Sequence, residues 1–158
     1  MNNRLLIVDD VLFMRLKLRN TVEQFGYQVV GEAADGKEAI EKYQYLRPDA
    51  VLLDITMPEM DGVDCLQYIK KMDPKAKVIM VSAMGQGEFI KQCFKYGAEY
   101  FIRKPFDDEK IKKVLNAVVP LPEPEVEIVS ESYESQLAAL NVKNEEALGT
   151  LTIGRKKR

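Results

Sequence analysis

Five polar side chains stand where short apolar runs stop: Asp9 and Asp10 after Leu5 to Val8, Asp54 after Ala50 to Leu53, Ser82 after Val78 to Val81, and Lys104 just past Tyr100 to Ile102. The chemistry open to these residue types together is narrow. Three carboxylates in one crevice repel one another; at ~5 Å and an effective dielectric near 20 each pair costs roughly 3 kcal/mol. A divalent cation removes that cost. Carboxylates with a carbonyl and water, and neither thiolate nor imidazole, suit Mg²⁺. A lysine adds mobile positive charge for a phosphoryl oxygen, and a serine adds a hydroxyl donor. Cation, ammonium and hydroxyl around one carboxylate make a phosphoryl-transfer site, with Asp54 as the nucleophile that becomes an acyl phosphate. Each residue also has a plainer role open to it: Asp10 as a helix cap, Asp54 as a strand-end turn acid, Ser82 as a turn residue, Lys104 as a surface charge. Their common place at the end of an apolar run weighs against so many separate coincidences.

These residues need a scaffold that delivers them to one edge. Ala50 to Leu53 is apolar throughout, as expected of a strand buried on both faces. Leu5 to Val8, Val78 to Val81 and Tyr100 to Ile102 repeat the pattern, and Tyr27 to Ala34 mixes valines with Gln28 and Glu32 as an edge strand does. Between the strands lie helical spacings: Met14, Leu18, Val22 and Phe25, stopped by Gly26; Ala39, Ile40, Tyr43 and Leu46, stopped by Pro48; Val63, Leu66 and Ile69, stopped near Asp73-Pro74. Phe89, Ile90, Cys93 and Phe94 form a fourth face, and Ile111, Val114, Leu115 and Val118 a fifth. Five strand–helix alternations predict an α/β fold with a parallel sheet and helices on both faces. Open sheets of this class place their sites outside the carboxyl ends of the strands.

Composition narrows the function. The chain has 158 residues, 46% hydrophobic and 30% charged, with net charge −2 and no histidine. Without imidazole there is no Ser-His-Asp catalysis, no histidine-ligated zinc and no internal histidine phosphodonor. Cys65 and Cys93 show no metal-ligand spacing and read as small apolar residues within helices. No apolar run approaches the ~20 residues of a membrane span, and the start of the chain lacks a signal-peptide pattern, so a cytoplasmic location is expected. Seven of the 25 acids and five of the 23 bases lie beyond residue 119, which leaves the first part of the chain neutral. That balance gives no electrostatic footprint for nucleic acid.

Val8-Asp9-Asp10, Asp54-Ile55-Thr56-Met57-Pro58 with Asp61-Gly62, Ser82-Ala83 and Lys104-Pro105-Phe106 resemble the receiver domain of two-component response regulators, in order and in spacing. Within that family, Asp54 to Gly62 followed by Ser82-Ala83-Met84-Gly85-Gln86 is similar to stand-alone chemotaxis regulators. The resemblance implies a doubly wound, flavodoxin-like five-stranded sheet of order 2-1-3-4-5 over residues 1–119. It implies Asp54 as phosphoacceptor, and Mg²⁺ held by Asp9, Asp10, Asp54 and the Thr56 backbone carbonyl. Lys104 would contact the phosphoryl group beside a cis peptide before Pro105. Ser82 and Phe101 would act as the switch pair, with Ala83 leaving room for the phosphate. Phe101 lacks the hydroxyl of the tyrosine common at its position, so its signal would be one of ring packing. Lys104 and Ser82 are expected to serve switching rather than the core. A histidine kinase would donate the phosphoryl group, and an output protein such as the flagellar motor switch would read it. A phosphatase is a further implied partner, and a monomer without nucleic acid is expected. The only catalysis implied is that of the chain's own phosphorylation and dephosphorylation.

Competing readings remain. One is the receiver part of a transcriptional or sporulation response regulator; the 39 residues after Val119 are short and acidic for a DNA-binding domain. Another is an aspartyl-phosphate phosphatase of the haloacid dehalogenase type, whose second acid would fall at Thr56. A flavin carrier would need a hydroxyl- and glycine-rich loop after the first strand. At the far end, Pro120, Pro122 and Pro124 mark residues 120–125 as a stiff linker. Residues 126–158 read as a disordered or weakly structured tail, with Tyr133, Leu137 and Leu140 lining one short helix and a basic end at Arg155 to Arg158.

Overall fold

The run Ala50 to Leu53 carries no polar side chain because it has no wet face. It forms β3 (Ala50–Leu53), buried at every residue, with β1 (Arg4–Val8) paired on one side and β4 (Val78–Ser82) on the other. β2 (Gln28–Ala33) and β5 (Tyr100–Arg103) form the edges. All four pairings are parallel and the order is β2-β1-β3-β4-β5, as the resemblance implied. The computed structural model describes residues 2–123; the readings made for the end of the linker and for the tail lie outside the described residues.

Alternation along the strands divides the core into two layers. Leu5, Ile7, Leu52, Ile79 and Ile102 pack with Leu18 and Val22 of α1 (Leu12–Gln24) and with Ile111, Val114 and Leu115 of α5 (Asp108–Val118). Leu6, Val8, Val51, Leu53 and Met80 face the other way. They meet Ala39 and Tyr43 of α2 (Gly36–Leu46), Leu66 and Ile69 of α3 (Gly62–Met72) and Cys93 of α4 (Gly87–Lys95). Among the described residues no helix is long and apolar enough to cross a membrane.

Local chemistry sets the helix ends. Asp35, Asp61 and Asp107 cap α2, α3 and α5, each side chain accepting the N–H three residues on. α1 stops where Gly26 adopts φ +93°, which costs glycine little. α1 begins differently. Its N-cap is Val11, with no side-chain cap, so Asp10 does not serve as the cap that its position offered. Two further expectations change. Phe94, assigned to the buried face of α4, is 46% exposed, and only Cys93 of that helix is buried. Leu121, assigned to the linker by its proline neighbours, packs against the α1–α5 layer over Gly26. Beside it, the Tyr27 hydroxyl donates to the carbonyl of buried Val119 at 2.7 Å.

Candidate active site

The sheet order reverses between β1 and β3, so the connections that leave these neighbours go to opposite faces and a crevice opens at their carboxyl ends. Register fixes what enters it. Val8 pairs with Leu53, and the Asp54 N–H donates to the Val8 carbonyl at 2.9 Å. Asp9 and Asp54, the next residue on each strand, therefore stand side by side. Asp9 is held on its other flank, its N–H donating to Ala33 of β2 at 3.0 Å.

Carboxylate oxygens of Asp9, Asp10 and Asp54 all lie within 4.8 Å of one another. Asp9 and Asp54 are buried, whereas Asp10 is exposed at the mouth. Lys104 enters from the end of β5, its backbone N–H donating to Ser82 at 3.0 Å. Its ammonium sits 2.6 Å from Asp9 Oδ2 and 3.6 Å from Asp54 Oδ2. The Lys104-Pro105 peptide is cis. One ammonium among three carboxylates leaves a net negative crevice of hard oxygens, which fits a divalent cation of the Mg²⁺ type. Thr56 is exposed beside it, and among the described residues no hydrogen bond takes up its carbonyl oxygen.

Asp54 is the perturbed group. Burial pushes its carboxyl above the ordinary value. Lys104 pulls it down, Asp9 pushes it up, and the Ile55 N–H, 2.8 Å from Oδ1, and the Ser82 hydroxyl pull down; burial prevails. Such a carboxylate is poorly solvated. Ser82 is buried, and its oxygen accepts the Met84 N–H at 3.2 Å, so the plainer turn role is real in this state. Phe101, one strand over and paired with Met80, is half-buried against the α2–α3 layer. The structure thus brings Asp9, Asp10, Asp54, Lys104 and Ser82 together, with Asp10 exposed, whereas Phe101 packs in the core one strand away.

Two features of the site had no clear sequence signal. Asp61-Gly62 reads as a turn, yet Gly62 is demanded by close approach: a Cβ there would lie 1.9 Å from the Asp54 carbonyl oxygen. Glu59 adopts φ +64°, a strained value for a residue with a side chain, in the loop between Asp54 and α3. Nothing in Pro58-Glu59-Met60 announces it.

Comparison with known proteins agrees with this geometry. Residues 5–116 match the response regulator receiver domain. The chain is 50% identical over 118 residues to the chemotaxis protein CheY of Thermotoga maritima, covering 75% of this chain and 98% of that protein. It is 36% identical to sporulation initiation phosphotransferase F of Bacillus subtilis, covering 77% and 97%. Among solved structures, the CheX-CheY-BeF3-Mg complex of Borrelia burgdorferi superposes with a TM-score of 0.71 at 43% identity, over 73% of this chain and 87% of that one. Sheet order, crevice chemistry and sequence similarity converge: this chain belongs to the response regulator receiver family, and its receiver domain is CheY-like.

Proposed function

We propose that the protein is a phosphorylation-driven binding switch in which Asp54 accepts a phosphoryl group from a partner histidine kinase. The observation that carries this reading is the convergence of a buried, perturbed Asp54 with two further carboxylates and one ammonium at the reversal point of the sheet. An Asp54 oxygen attacks phosphorus, the P–N bond to the donor imidazole breaks, and the imidazole leaves with the electron pair. Asp9, Asp10, Asp54 and the Thr56 carbonyl would hold Mg²⁺, which neutralises the charge on the phosphoryl oxygens when bound. Lys104 moves from Asp9 to a phosphoryl oxygen. Ser82 trades the Met84 N–H for a phosphoryl oxygen, and the Phe101 ring repacks behind it. Val11, Leu12, Phe13 and Leu16 at the start of α1 are all exposed beside the crevice and offer an apolar rim to a donor domain.

The output partner reads the face of α4, β5 and α5. Similarity to CheY of Thermotoga maritima supports chemotaxis, with the flagellar motor switch as that partner. A phosphatase is a further partner on this reading, and the CheX-CheY complex supports a second protein that binds such a domain. A second reading, a sporulation-type phosphorelay carrier, is favoured by the similarity to the Bacillus phosphotransferase. The test is phosphorylation by acetyl phosphate with Mg²⁺, read by intact mass. The wild type should gain one phosphoryl group and Asp54→Asn none; equal labelling of the two would overturn the assignment. Transfer onward to a second histidine protein, rather than binding to a motor protein, would select the phosphorelay reading.

A further inference from the structure

One arginine beside the crevice has no part in the chemistry above. Arg15, one turn into α1, is largely buried for an arginine, with 15% of its side chain exposed. Its Nη1 donates to the Asp9 carbonyl at 2.7 Å, and its Nε donates to Glu32 Oε1 at 3.1 Å. The carbonyl it holds belongs to the peptide joining Asp9 to Asp10. Glu32 lies on β2, one residue before the Ala33 carbonyl that takes the Asp9 N–H. Arg19, one turn further along α1, donates twice to Glu32 Oε2, at 3.0 and 2.7 Å, and keeps the carboxylate charged and fixed. The loop that carries two of the three carboxylates is therefore tied to the edge strand twice, through the Asp9 N–H and through an Arg15–Glu32 strut.

We infer that Arg15 is a positioning residue: clamped by Glu32, it sets the plane of the Asp9–Asp10 peptide and so aims the exposed Asp10 carboxylate into the cation site. The inference rests on the Mg²⁺ reading above. The geometry explains how an exposed Asp10, which caps no helix, is kept beside two buried acids despite their repulsion. The guanidinium holds the carbonyl and the carboxylate with two nitrogens in a fixed planar fork; a lysine ammonium is a point charge that does not reproduce that fork. Groups that orient the ligands of a metal commonly change its affinity by 10–100-fold when removed.

The sign of the effect separates positioning from charge. Arg15→Ala removes a positive charge near a cation site, and by Coulomb's law alone Mg²⁺ should then bind more tightly. Positioning requires the opposite. Titration calorimetry of Mg²⁺ into the full chain should give about tenfold weaker binding for both Arg15→Ala and Arg15→Lys. Arg19→Ala, which also breaks bonds to Glu32 but touches neither Asp9 nor Asp10, should stay within twofold of the wild type while losing a similar amount of thermal stability. In amide NMR, the Asp10 and Val11 signals should move in the Arg15 variants before any metal is added. Arg15→Lys keeps charge and stem and decides the matter even where the alanine variant fails to fold. Unchanged or tighter Mg²⁺ binding by Arg15→Lys, or equal weakening by Arg19→Ala, overturns the inference and leaves the metal site standing. A wild type with no saturable Mg²⁺ binding, measured in the same series, overturns the metal reading itself.

Discussion

Lys104 donates a hydrogen bond to Asp9, 2.6 Å away, and reaches Asp54 only as a longer ion pair, 3.6 Å from the same ammonium. The lysine therefore sits on one of the acids proposed to hold the cation. On that reading cation and ammonium compete for Asp9, and a bound cation would free Lys104 for the phosphoryl group. Lys104 is expected to matter for switching more than for folding, and its bond to a buried acid gives it a share in stability as well. Asp9 is 1% exposed, and a buried carboxylate that loses its partner is strongly destabilising. Because Asp9 keeps the Val11 N–H at 2.9 Å and the lysine is partly exposed, Lys104→Ala should cost about 2 kcal/mol without metal. Millimolar Mg²⁺ should restore most of that and should bind the variant more tightly than the wild type. Denaturant unfolding with EDTA and with Mg²⁺ checks it; equal losses in both conditions would show that Asp9 does not change partners.

Asp10→Ala should behave in the opposite way. Asp10 is exposed and caps no helix, so its loss removes repulsion and little else. In EDTA the variant should be as stable as the wild type or more stable by up to about 1 kcal/mol, a magnitude ordinary for exposed charges. Mg²⁺ should no longer raise its unfolding midpoint. A variant that kept the full Mg²⁺-dependent rise would remove Asp10 from the metal site.

The crevice was legible in the sequence because strand burial and strand ends are written in the same letters. Ala50 to Leu53 can only be an inner strand, and whatever follows it must surface at the carboxyl edge, as Asp54 does. The same logic placed Asp9, Ser82 and Lys104. Relations across the sheet were not legible. That Lys104 prefers Asp9 to Asp54, or that Arg15 reaches back to the Asp9 carbonyl, depends on side-chain reach between segments far apart in sequence. Amphipathic spacing also misplaced Phe94, since α4 spans nine residues and buries only Cys93. Prolines on both sides of Leu121 suggest a stiff extended linker, but a proline spacing says nothing about an apolar side chain finding room over a glycine. Gly62 reads as a turn residue for the same reason: the sequence cannot show a backbone passing beneath it.

Glu32 gives the fold a pH dependence that can be assigned. Burial pushes its carboxyl up, but the hydrogen bonds and charges of Arg19 and Arg15 outweigh burial, and the group ends below its ordinary value. A carboxyl lowered in the folded state adds stability above the unfolded value of about 4.3, and that stability is lost as pH falls through the folded value. Glu32→Gln should therefore be less stable than the wild type at pH 7, and the gap should close progressively below about pH 4.3. Thermal melts of both proteins from pH 7 to pH 3 test this. A gap that stayed constant across the range would mean that the arginines do not favour the charged form.

The closest backbone approach in the site gives the sharpest mutational contrast. A Cβ on Gly62 would lie 1.9 Å from the Asp54 carbonyl oxygen and 2.7 Å from both the Asp54 carbonyl carbon and the Ile55 Cα. All three are backbone atoms just past the end of β3, at Asp54 and Ile55, and the Gly62 N–H is bonded to the Ile55 carbonyl at 2.7 Å. No rotamer relieves such a contact, so the start of α3 and the end of β3 must separate. Gly62→Ala should lose more than about 3 kcal/mol, in the range of severe backbone and packing defects. Any folded fraction should accept phosphate poorly, because Asp54 moves with its carbonyl. Gly87 is the control. It opens α4, and a Cβ there meets nothing within 4 Å. Gly87→Ala should be neutral or stabilising by up to about 1 kcal/mol, through a less flexible unfolded chain and a better helix former. It should accept phosphate as the wild type does. The comparison is made by unfolding midpoints and by intact mass after acetyl phosphate. Wild-type stability in Gly62→Ala would mean that α3 can withdraw from Asp54 at no cost and that the strand end is not clamped from below.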